Sequence, residues 1–79
     1  MLIPKASAPG GRIVNLIVND QTHPLADGAT VAALLVELGL AGKPVAVEVN
    51  LELVPAARHA EHRLADGDRL EIVTLVGGG

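Results

Sequence analysis

Three sets of residues in this chain have types and spacings that could do chemistry. The simplest closes the sequence, which reads IVTLVGGG from Ile72 and puts Gly77, Gly78 and Gly79 behind an apolar run. Glycine has no side chain to react, so any chemistry there belongs to the α-carboxylate of Gly79. Such a carboxylate is an anion at neutral pH and a poor electrophile, and it accepts a nucleophile only after activation. The tail suits delivery to a separate active site. Glycines adopt backbone angles closed to other residues and pass through narrow channels. Val76 to Gly79 reach about 13–14 Å when extended. The ordinary reading of such a tail is a disordered chain end with no role.

The second set is His23, His59 and His62. His59 and His62 are three apart and share a face if 56–63 is helical, but a zinc site needs more ligands than these. Only Glu61 lies nearby, and on a different face. The histidines are expected to be solvated, with no metal bound. The third set is Asp66 and Asp68, which flank Gly67. Too few oxygens surround them for calcium, and they read as turn formers. Arg58, Arg63 and Arg69 read as a solvated face. The sequence has no Ser-His-Asp arrangement. Its glycine run is not followed by a helix whose N-terminus would hold a phosphate.

The elements that must position the tail come from a chain of 79 residues, enough for one domain. With no cysteine, it has no disulfide, thiolate site or cysteine nucleophile, in keeping with a reducing cytoplasm. It also lacks Phe, Trp and Tyr, so its core must be built from Val, Leu, Ile and Ala. A net charge of -3 without aromatics gives neither a phosphate-neutralising patch nor a base-stacking surface, which argues against nucleic acid. No apolar run approaches the roughly 18–20 residues of a membrane helix, and no signal-peptide core is visible.

Residues 1–12 are rich in Pro, Gly, Ala and Ser and read as a flexible leader. From Ile13 to Asn19 apolar residues alternate, with Val14, Leu16 and Val18 on one face, which predicts a strand. The stretch 19–21 is a turn, and 22–25 a returning strand that Pro24 demotes to an edge. After the Asp27-Gly28 turn, Thr30 is a helix N-cap. Val31, Leu34, Leu35 and Leu38 make one helical face, and Gly39 sits at the C-cap. Strands are expected at 45–49, at Leu53 and Val54, and at 69–75. The segment 56–63 is either a helical turn or a loop. One helix on a mixed sheet suits this order, an α+β fold whose compact form is a β-grasp.

The order and spacing of these pieces resemble the ubiquitin-like sulfur carrier proteins, most closely the ThiS family of thiamine biosynthesis. The likeness covers about 13–79 and rests on IVNLIVNDQTHPL, TVAALLVELGL, VAVEVNLELVP and LADGDRLEIVTLVGGG. It implies a β-grasp domain over 13–75 and a reactive tail over 76–79. It implies that an E1-like adenylyltransferase (ThiF type) adenylates Gly79. The carboxylate then becomes a thiocarboxylate, and the sulfur passes to thiazole synthase (ThiG type). No cofactor would be bound by the chain itself, with ATP and sulfur supplied through partner enzymes. It would be a co-substrate and not an enzyme, and a monomer when alone. Three glycines stand where two suffice. The related molybdopterin carriers share the fold and the Gly-Gly end. They usually have a proline near the tail, which TLVGGG lacks, so the thiamine branch is favoured. Two further readings stay open, a protein modifier that joins to lysines and a plain interaction module.

Ordering a four-residue tail costs about 4–8 kcal/mol and buries no side chain in return. The folded body must therefore supply most of the docking affinity. Leu70 and Ile72 are expected to face the core, and Glu71, Val73 and Leu75 the other side. Val73, Leu75 and Val76 then form the expected partner-docking patch, on a sheet face without a cover. The plainer reading is that Val73 and Leu75 are ordinary strand residues partly covered by loops.

Overall fold

The computed structural model describes residues 11–75. Strand β1 (Ile13–Val18) and strand β2 (Gln21–Ala26) form a hairpin, followed by helix α1 (Val31–Glu37). Strand β3 (Val45–Val49), strand β4 (Glu52–Val54), a 3-10 turn (Ala56–Arg58) and strand β5 (Arg69–Thr74) complete the order. The five strands form one mixed sheet in the order β2-β1-β5-β3-β4. β5 lies in the middle, parallel to β1 and antiparallel to β3.

Both hairpins close through two-residue loops. Asn19 and Asp20 join β1 to β2, with φ of 50° and 68°. Asn50 and Leu51 join β3 to β4, with φ of 51° and 72°. Two successive positive φ values are the signature of type I′ turns, whose twist matches that of the flanking strands. Asn and Asp tolerate this region, whereas a bulky leucine there is an outlier. Asn19 is thus a turn residue and not the last residue of β1. β2 gains Gln21 and Ala26 over the expected span, and Pro24 does sit on an edge strand. β4 gains Glu52, and β5 ends one residue earlier, at Thr74.

The helix is short because its signals are close together. The Thr30 hydroxyl accepts from Ala33 N–H at 3.2 Å. At the other end Gly39 has φ 75°. Gly39 N–H donates to Val36 C=O at 3.1 Å and Leu40 N–H to Leu35 C=O at 2.8 Å, a Schellman motif. Val31, Leu34 and Leu35 are buried as the helical stripe requires. They share a core with Val14, Leu16, Val18, Leu25, Val47, Val49, Val54, Leu64, Leu70 and Ile72.

The segment after β4 caps the helix. Val31 N–H donates to His62 C=O and Ala32 N–H to His59 C=O, each at 2.9 Å, satisfying amides that a helix start leaves without partners. This docking draws His59 inside, where it is only 9% exposed, with its Nε2 3.0 Å from the Val54 carbonyl oxygen. The expectation of a solvated His59 is overturned for that reason. His62 is half-buried, and half-buried His23 lies 3.3 Å from Glu37. Asp66 and Asp68 act as turn formers. Asp66 accepts from Asn15 N–H at 2.8 Å, and Asp68 accepts from Ala65 N–H at 2.8 Å.

Candidate functional site

β5 is the element that leads into the glycine tail, and its surroundings define the site. On the β3 flank it is paired from Val49↔Leu70 to Val45↔Thr74, and Leu75 N–H adds a bond to Pro44 C=O at 2.9 Å. On the β1 flank the register has only Ile17↔Arg69 and Val18↔Leu70. Strand periodicity then sorts its side chains. Leu70 and Ile72 are buried beneath the helix, as expected from their spacing.

Glu71, Val73 and Leu75 point to the opposite face, which no element among the described residues covers. Val73 is 55% exposed and Leu75 50%. The register places Ala46 beside Val73 and Glu48 beside Glu71, with Leu53 on the far side of Glu48. Leu53 is 65% exposed, and Ile13, at the start of β1, is also exposed on this face. The result is a discontinuous apolar surface with two carboxylates opposite each other at its centre. Like charges so placed across a strand pair repel. Arg69, on the same face, is engaged with Asp20 at 3.3 Å.

Two of the residues expected to dock a partner, Val73 and Leu75, are therefore together on the open face. Val76, Gly77, Gly78 and Gly79 lie outside the described residues. Leu53 belongs with the first two, and sequence reasoning does not assign it to a face. Its signal is present all the same, since it directly precedes buried Val54 in a strand of period two. Among the described residues no three of His, Asp and Glu are grouped to hold a metal ion. No helix there is long and apolar enough to cross a membrane.

Sequence reasoning also misses the part played by two asparagines. Asn19, from the β1–β2 turn, accepts from Ile72 N–H at 2.8 Å and donates to Ile72 C=O at 3.1 Å. Asn50, from the β3–β4 turn, accepts from Arg69 N–H and donates to Asp68, both at 3.0 Å. β5 is thus gripped by a turn amide on each flank. The only hint in the sequence is that each asparagine opens a two-residue loop.

Among the described residues a central last strand, flanking hairpins and a single α-helix on one face define a β-grasp domain of the ubiquitin-like kind. The model of the ThiS family matches residues 11–79. The chain belongs to the ThiS family. It is 32% identical over 66 residues to the sulfur carrier protein ThiS of Escherichia coli, covering 84% of this chain and 100% of that protein. A crystal structure of the thiamine biosynthesis protein ThiS from Geobacter metallireducens superposes with a TM-score of 0.71 at 32% identity, over 84% of this chain and 100% of the other. A thiazole synthase of Paramagnetospirillum magneticum is 46% identical over 66 residues, 84% of this chain. The chain spans only 20% of the length of that synthase.

Proposed function

We propose that this chain carries sulfur for thiazole formation in thiamine biosynthesis, on the α-carboxylate of Gly79. The carboxylate oxygen attacks the α-phosphorus of ATP, held by an E1-like adenylyltransferase, and pyrophosphate leaves. A sulfur nucleophile supplied by that partner system attacks the acyl carbon, and AMP leaves. The product is a terminal thiocarboxylate, which hands its sulfur to a thiazole synthase. The chain acts as a monomeric co-substrate in the cytoplasm and binds no cofactor of its own.

The observation that carries this reading is the family match, which runs through the glycine tail to residue 79. The geometry supports it. The strand that the tail follows in the chain is fixed in the centre of the sheet. Val73 and Leu75 present apolar area on its open face, and Val76 is the next residue in sequence. The synthase link has its own support. A protein named as a thiazole synthase contains a segment 46% identical to this chain, and on the present reading that segment would be a carrier joined to its acceptor. Such a tether raises the effective concentration of one for the other.

Intact-mass measurement with the adenylyltransferase, ATP and a sulfide source tests the proposal. Exchange of one oxygen for sulfur is expected, and transfer onto lysines of other proteins would point to a modifier instead. One residue appended after Gly79 turns its carboxylate into an amide and should abolish ATP–pyrophosphate exchange. Equal exchange with the cap still in place would refute the reading. Deleting Gly78 and Gly79 shortens the reach by about 7 Å and should also abolish it.

A further inference from the structure

β5 is held unequally. On the β3 flank its hydrogen bonds continue to Leu75. On the β1 flank strand pairing stops at Val18↔Leu70, because the chain turns away at Asn19. The next backbone groups of β5 on that flank are the N–H and C=O of Ile72. An open groove of about 420 Å³, lined in part by Val18, Leu38, Ile72 and Thr74, lies alongside. Water entering there would compete for those groups and loosen the strand.

The Asn19 side chain occupies this position. A primary amide offers a C=O acceptor and an N–H donor in one plane, as a peptide group does. Asn19 uses both on a single residue, accepting from Ile72 N–H at 2.8 Å and donating to Ile72 C=O at 3.1 Å. Aspartate would have no donor for the carbonyl. Asn19 also takes φ 50°, which asparagine tolerates and most residues do not. One residue thus closes the hairpin and extends the β1 flank by one further rung. Asn50 has the same place in its own turn but grips Arg69 and Asp68, at the end of β5 remote from the tail.

We propose that Asn19 is a positioning residue for the reactive tail, its side-chain amide pinning β5 at Ile72 and so fixing the direction of Val73 to Leu75, the strand end that the tail follows in sequence. The proposal rests on the carrier reading above. Without the clip β5 is held beyond Leu70 by its β3 flank alone and can splay away from the β1 side, and the directions open to the strand end spread. The body still docks through its outer face. Fewer docked complexes then place the Gly79 carboxylate in line with its reaction partner, and reaction rate is sensitive to displacements on the order of 1 Å.

The test compares Asn19→Gly with Asn50→Gly in the full chain. Glycine suits both type I′ turns, so each variant loses an amide while the turn remains. ATP–pyrophosphate exchange is measured with the adenylyltransferase, varying the carrier, alongside amide hydrogen exchange at Ile72 and Thr74. For Asn19→Gly we expect kcat to fall about tenfold with KM within about twofold, the loss of a charge-free hydrogen-bonded pair misdirecting the tail. Protection at Ile72 should fall with it. Asn50→Gly should keep kcat. The carrier is the substrate in this assay, so simple destabilisation would raise the apparent KM and leave kcat alone. An unchanged kcat in Asn19→Gly, an equal fall in Asn50→Gly, or undiminished Ile72 protection would each overturn the proposal. If the unaltered chain supports no exchange, the carrier reading itself falls, and the positioning role with it.

Discussion

The two faces of β5 belong to one strand and obey opposite rules. Leu70 and Ile72 are buried in a core without a single aromatic ring, while Glu71, Val73 and Leu75 face outward with no second layer above them among the described residues. On the inner face Leu70 and Ile72 are enclosed by the core, and only Thr74, at the strand's end, is exposed. On the outer face apolar area is left exposed beside two opposed carboxylates, Glu48 and Glu71. The inner face has the composition of a surface selected for stability. The outer one gives up some stability, and under the proposed function it gains a place for a partner to rest. The difference teaches that in a small domain one side of a sheet must hold the fold if the other is to be free for docking.

Substitutions that exchange the roles of the faces would break this comparison. The largest effect is expected from Leu34→Ala or Ile72→Ala, each costing about 2–5 kcal/mol through lost burial and an unfilled cavity. A domain of this size has on the order of 5 kcal/mol in total. Urea unfolding should therefore show a largely or wholly unfolded chain, and a native-like midpoint would move these residues out of the core. Val73→Asp should cost the fold only about 1 kcal/mol, the range of strand propensity at an exposed site. Its affinity for the adenylyltransferase, followed by titration calorimetry, should fall at least about tenfold, as burying an unpaired charge at an interface requires. Full affinity would remove Val73 from the docking surface. The smallest effect sharpens the contrast. Glu71→Gln relieves its repulsion with Glu48 and should stabilise the fold by about 0.3 kcal/mol. That gain should shrink as salt is added, and a loss of stability at low salt would show that the two carboxylates are not opposed in solution.

Much of the inner face is legible in the sequence because period and burial coincide. In IVNLIV the alternation identifies Val14, Leu16 and Val18, and in RLEIVT it identifies Leu70 and Ile72, all buried. Thr30, the Val31-Leu34-Leu35 stripe and Gly39 are equally plain, since cap, stripe and stop are local signals. Leu64 is not legible. It enters the core from a loop, where no periodicity marks it, and is placed by its N–H bond to Ala29 C=O at 2.8 Å. His59 is misread for a related reason, because its burial follows from where the 59–62 segment docks. On the site, Val73 and Leu75 can be assigned by counting along the strand. Asn19 cannot, because its partner Ile72 lies 53 residues away and no local pattern links the two.

The place of β5 also sets the order in which the molecule can assemble. β1 with β2, and β3 with β4, are hairpins of neighbouring strands that can form early and separately. The two hairpins share no rung with each other; the strand that joins them is the last one along the described chain. Its contact with β1, Ile17↔Arg69, closes a loop across nearly the whole domain, and contacts so distant in sequence form slowly. Until β5 inserts, two sheet edges remain open and available for wrong pairings. Folding should accordingly be limited by one late insertion step. A chain cut short before Arg69 would be left as two unjoined halves exposed to aggregation, so that the strand presenting the tail is also the one that completes the protein.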